Sequence, residues 1–170
     1  MIQSKKINKK IRNATIVKTK NITFKSMLEK MCYNTLLEQG FKPQYEPHKI
    51  HLIDFHNSNT PFYDKETDSQ HKKRVKLLGK PSPKLLTLKS DKILPITYTP
   101  DFYLKYKNLD VWIEAKGMEN DCFYLKKKLF RQYLDDIYNN TGQRSIYFEI
   151  YSKKQLLQAI EIFKKYAEES

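Results

Sequence analysis

The chain has 170 residues, with 32 Lys+Arg against 19 Asp+Glu, a formal net charge of +13, 39% hydrophobic residues and 13% aromatics. That length suits one compact domain with a real core and arms, and twelve Tyr, nine Phe and one Trp exclude a wholly disordered basic tail. No stretch approaches the roughly 18–20 apolar residues that cross a bilayer, there is no apolar signal region, and Cys32 and Cys122 fit no paired metal-ligand spacing. Membrane spanning, export and a disulfide scaffold are therefore not expected, and the two cysteines read as buried thiols of a cytoplasmic protein.

Residues 1–23 read as a basic arm: residues 1–25 hold eight basic side chains, among them Lys18, Lys20 and Lys25, and no acid. From Ser26 the pattern turns helical, with Leu28, Met31, Cys32, Thr35 and Leu36 recurring at steps of three and four, and Gly40 as a stop. Ser26-Met27-Leu28-Glu29 has the form of a capping box. Tyr45 to Phe55 is extended in character. Residues 56–94 are polar, rich in Pro and basic, and read as a loop-rich insertion or a hairpin within one domain over 24–170. Two strands follow, Ile96 to Tyr106 and Asp110 to Lys116, joined by a turn around Lys107-Asn108. Asp121 to Tyr138 is helical and ends near Gly142; Ser145 to Tyr151 is a strand. The last helix aligns Leu156, Ile160, Phe163 and Ala167 on one face. The order α-β-insertion-β-β-α-β-α predicts an α/β fold with a small mixed central sheet flanked by helices.

The basic residues gather in three places: the arm, the insertion from Asp64 to Lys92 with nine bases against four acids, and the helix after the strand pair. One cluster alone is an ordinary solvated surface. Three together point to a polyphosphate partner, with Lys18, Lys20, Lys25, Lys72, Lys73, Arg74, Lys126, Lys127 and Arg131 as the expected nucleic-acid contacts.

The stretch with most chemistry is Thr99-Pro100-Asp101-Phe102-Tyr103, followed after a turn by Trp112-Ile113-Glu114-Ala115-Lys116-Gly117. Alternation along a strand puts Glu114 and Lys116 on one face with Trp112, and a hairpin brings Asp101 beside them. Two converging carboxylates with waters filling the remaining positions meet the demand of Mg²⁺. Such residues at strand ends also commonly face solvent, and Glu-x-Lys alone arises by chance. His48, His51 and His56 are close in sequence but fit no zinc pattern. No phosphate-binding glycine loop is present.

Pro-Asp, then twelve residues, then Glu-Ala-Lys, across adjacent strands with a basic helix after them, resembles the core motif of the PD-(D/E)xK nuclease superfamily, over about residues 24–151 without the insertion. Small size, a Glu on the first helix and basic arms resemble its phage-type members, the endonuclease I kind of Holliday-junction resolvase. The resemblance implies a restriction-endonuclease-like core and a metal-dependent endodeoxyribonuclease. Asp101, Glu114 and the Ala115 carbonyl would hold Mg²⁺ or Mn²⁺, one or two ions per site, with Glu29 serving a second metal or its water. Lys116 would orient the attacking water and stabilise charge on the phosphate. Glu29 has an alternative role as the third residue of the capping box. The partner implied is DNA, branched or duplex, without a membrane, and junction cleavage implies a homodimer. A nicking or repair nuclease of the same fold, or a basic DNA-binding protein without catalysis, are the competing readings.

Overall fold

The computed structural model describes residues 16–19, 22–60, 72–73, 75–79, 91–117 and 121–169. Most of the expected arm, Lys20, Arg74 and the middle of the expected insertion lie outside these residues. The chain divides into two units, one of residues 1–52 with 97–170 and one of residues 53–96.

In the larger unit, β1 (Val17–Lys18) pairs antiparallel with β2 (Thr23–Phe24), and α1 (Met27–Glu38) follows at once. The start of α1 is set by Ser26, an extended N-cap whose Oγ accepts the Glu29 N–H at 3.1 Å. Its end is set by Gly40 at φ 82, a left-handed turn that a side chain would strain. The chain continues through β3 (Gln44–Tyr45) and β4 (Ile50–Ile53), and the expected single extended run from Tyr45 to Phe55 is broken by Glu46 at φ 45.

In the smaller unit, β5 (His56–Ser58) pairs antiparallel with β6 (Asp91–Ile93), a two-stranded hairpin closing the segment expected as an insertion. A helical turn covers 75–78.

Next come β7 (Ile96–Tyr98), β8 (Phe102–Tyr106) and β9 (Leu109–Ala115). The expected strand from Ile96 to Tyr106 is thus two strands, because the chain bends at Asp101, and the proline before it has no N–H for a ladder. Lys107, at φ 52, turns β8 into β9. Then α2 (Asp121–Thr141), β10 (Arg144–Ile150) and α3 (Lys153–Tyr166) complete the unit.

The central sheet has the order β10-β9-β8-β3. β3, β8 and β9 run antiparallel, and β10 returns parallel to β9 after the α2 crossover, as a parallel connection requires. β4 pairs with β7. The mixed α/β class and the small mixed sheet are those expected.

β9 decides the layering. Leu109, Val111, Ile113 and Ala115 face one core, with Cys32 and Leu36 of α1 and Leu156, Ala159, Ile160 and Phe163 of α3. Trp112 faces a second core with Ile50, Tyr98 and the α2 residues Phe123, Phe130 and Leu134. A strand covered on both sides buries whatever lies between its apolar residues, so Glu114 is buried because of its place in the alternation. The cysteines are both free; Cys32 is buried as expected, whereas Cys122 is exposed, since it lies on the outer side of the first turn of α2.

Candidate active site

Asp101 and Glu114 meet by register. Phe102 pairs with Ile113 and Tyr103 with Trp112, so one further step sets Asp101 against Glu114 on the same face. The pair is buried, with 8% and 6% of surface exposed. Asp101 Oδ2 accepts the Ala115 N–H at 2.8 Å, and the Asp101 carbonyl accepts the Glu46 N–H at 2.8 Å. Glu114 Oε1 takes Lys116 Nζ at 3.2 Å and Oε2 accepts the Tyr98 hydroxyl at 2.7 Å. Tyr98 has one proton and spends it on Glu114, so the Tyr147 hydroxyl, 3.2 Å away, donates to Tyr98. Lys116 Nζ also lies 3.8 Å from the Phe123 ring centroid, a cation–π contact that ties the ammonium to the first turn of α2.

Burial disfavours the charged form of both carboxyls in this pair. Burial, the Glu114 charge and the more distant Glu29 and Glu46 push the Asp101 carboxyl up to about 8, against the Ala115 hydrogen bond. Burial raises Glu114 as well, opposed by Tyr98 and Lys116. Burial lifts Tyr98 and Tyr147 far above the ordinary phenol range, reinforced by the Glu114 charge, so both remain hydrogen-bond donors across the working pH range. Two buried carboxylates that repel each other, with hard oxygen donors and one flanking ammonium, suit a cation such as Mg²⁺ or Mn²⁺, which takes one or two carboxylates and completes its shell with water.

Glu29 is buried at the start of α1, but both of its oxygens are committed. Oε2 accepts the Lys25 N–H at 2.8 Å and the Tyr45 hydroxyl at 2.6 Å, and Oε1 accepts the Ser26 hydroxyl at 3.0 Å. This is the capping role, with the carboxylate reaching the N–H of Lys25, one residue earlier than in the usual box. Among the described residues no three or more His, Cys, Asp or Glu side chains gather as a preformed metal site. Ala115 occupies its expected place at the end of β9, with its N–H engaged by Asp101.

The expected nucleic-acid contacts divide by what holds them. Lys18 and Arg131 are exposed, as are Lys72 and Lys73 of the smaller unit, and Lys126 is half-buried. Lys25 is ion-paired with Glu46. Lys127 is turned inward, 3.2 Å from Glu149 and over the Phe123 and Tyr124 rings, so a fixed internal partner competes with any phosphate. Lys20 and Arg74 lie outside the described residues.

Tyr98, Tyr147 and Tyr45 are the site residues that periodicity did not single out. Tyr98 and Tyr45 each bond a carboxylate on another element, Glu114 and Glu29, and Tyr147 bonds Tyr98; each lies on a separate strand and carries no local mark of such a contact. No family model, no curated protein and no solved structure matches the chain.

Proposed function

We propose that the chain is a divalent-metal-dependent DNA endonuclease of the PD-(D/E)xK type, with a restriction-endonuclease-like core, acting in the cytoplasm on branched DNA. The observation that carries it is the placement of Asp101 opposite Glu114, with Ala115 bonded to one and Lys116 to the other. The order of helix, three antiparallel strands, crossover helix and parallel strand supports the same reading. A chain that carries a surplus of 13 positive charges and also buries an acid pair supports it too, since a phosphate backbone would be held by the first and cut at the second.

Asp101 and Glu114 would hold Mg²⁺ or Mn²⁺, together with the Ala115 carbonyl. The ion, when bound, supplies Lewis-acid activation of the phosphate and an acidified water. Asp101 is kept in place by the Ala115 N–H, so its free oxygen is presented in one orientation. Tyr98 fixes Glu114 in the same way. Lys116 holds positive charge beside Glu114 and is positioned to bind the non-bridging oxygens of the phosphate as it becomes five-coordinate. Glu29 acts behind these, holding the start of α1 and the Lys25 and Tyr45 groups around it. A homodimer would present two such sites to the symmetric strands of a four-way junction.

The test is incubation of a labelled four-way junction, a linear duplex and a single strand with Mg²⁺, Mn²⁺ or EDTA. Cleavage in the metal samples alone, greatest for the junction, is expected. Absence of metal-dependent cleavage of all three overturns the reading. The second reading, a DNA-binding protein without catalysis, rests on the charge surplus and the aromatic content, which suffice to hold a phosphate backbone without cutting it. Asp101→Asn separates the two: an enzyme loses cleavage and keeps affinity, whereas a binding module has only affinity to keep.

A further inference from the structure

Beside the acid pair, the same face of the sheet carries an aromatic surface with no part in holding a metal. Tyr103 and Trp112 are a register pair two residues along the strands from Asp101 and Glu114, a step of about 7 Å. Their ring centroids are 4.5 Å apart. His48 stands edge-on over both, 5.7 Å from Tyr103 and 6.2 Å from Trp112, and is itself exposed. The Tyr103 hydroxyl donates to Asp110 at 2.9 Å, which locks its ring in advance of any ligand. Gln44 pairs with Tyr103 on the neighbouring strand and is exposed, offering an amide donor and acceptor on that side.

Trp112 backs these rings from the second core. Trp112 is 7% exposed, and its Nε1 is buried with no hydrogen-bond partner among the described residues. The accessible rings are flat and the groups beside them, the Gln44 amide and the His48 imidazole, are polar and exposed, which suits a flat ligand with polar edges over a lipid chain or an aliphatic side chain.

We propose that His48 and Tyr103, backed by Trp112, form a stacking platform for an unpaired nucleobase adjacent to the phosphate at Asp101 and Glu114. The position of that phosphate rests on the nuclease reading; the platform itself does not. A base inside a continuous duplex has both faces covered by its neighbours, so a platform of this kind selects strands with an unstacked base, as at a junction, a flap or a single strand.

The test is binding, measured in EDTA by anisotropy of a labelled single-stranded oligonucleotide and of the blunt duplex of the same length. His48→Ala is expected to weaken single-strand binding by about 5- to 100-fold and to leave the duplex within about twofold. His48→Phe, which keeps a ring and removes the imidazole nitrogens, is expected to restore it. Because His48 is exposed, both variants should fold as the parent does. Equal weakening of both substrates, no weakening of either, or a Phe variant that behaves like Ala overturns the platform. A parent protein that cuts nothing overturns the nuclease reading and leaves the binding result intact.

Discussion

Replacing Asp101 by Asn tests the electrostatics of the acid pair without relying on catalysis. The carboxyl stands near 8 in the folded protein and near 3.8 when free. The folded state therefore holds the proton more tightly, and this contribution to stability is complete below pH 3.8 and lost as pH rises through about 8. At ~1.36 kcal/mol per pH unit the upper bound is ~6 kcal/mol, and relaxation with water entry leaves ~2–4 kcal/mol to be observed. An Asn oxygen still accepts the Ala115 N–H, and its NH₂ faces Glu114 as a donor, so the variant keeps the local bond and loses the repulsion. Urea unfolding in EDTA, followed through the fluorescence of Trp112, the single tryptophan, provides the readout at a series of pH values. Asp101→Asn is expected to match the parent near pH 4 and to exceed its stability increasingly up to pH 8, with other titrating groups cancelling in the difference. Adding Mg²⁺ at pH 8 is expected to stabilise the parent and not the variant. A variant-minus-parent difference that is the same at pH 4 and pH 8, or a variant less stable than the parent at pH 8, refutes the reasoning.

Four further outcomes follow from the same geometry. Lys116→Gln removes the charge beside Glu114 and is expected to lower junction cleavage by ~100-fold or more while leaving DNA affinity near that of the parent, as gel shift in EDTA would show. In Tyr98→Phe, Glu114 loses a hydrogen bond that favours its charged form, so the acidic limb of the cleavage profile is expected to move to higher pH; an unmoved limb removes Tyr98 from the site. Glu29→Gln retains the capping acceptor and is expected to change stability by less than ~0.5 kcal/mol but to slow cleavage ~10-fold, and an unchanged rate would assign Glu29 to the cap alone. Phe130→Ala empties the middle of the second core, where the ring meets Tyr98, Trp112 and Tyr147, and is expected to cost ~3–5 kcal/mol in urea unfolding.

Much of this fold could be read from the chain because its signals are local. The stripe on α3, the turn at Lys107-Asn108, the stop at Gly142 and the alternation that sets Glu114 and Lys116 on one face each depend on residues a few positions apart. The Pro-Asp and Glu-x-Lys pieces likewise sit on neighbouring strands with a short turn between them, so their meeting required only a hairpin.

What lay beyond the sequence depends on pairings between distant segments. The spacing Ser26-x-x-Glu29 shows the cap, but not that Tyr45, sixteen residues on, bonds the second oxygen of Glu29. Tyr98 bonds Glu114 from a strand sixteen residues earlier, and Tyr147 reaches Tyr98 because β10 returns parallel to β9 and lays Tyr147 beside Trp112. Lys127, one member of a basic cluster by composition, is drawn inward by Glu149 on that same strand, while Cys122 is left at the surface by the phase of α2. Local periodicity determines which face a side chain takes. Register and crossover determine what that face meets, and with it whether a charge serves a phosphate, a cap or the protein's own interior.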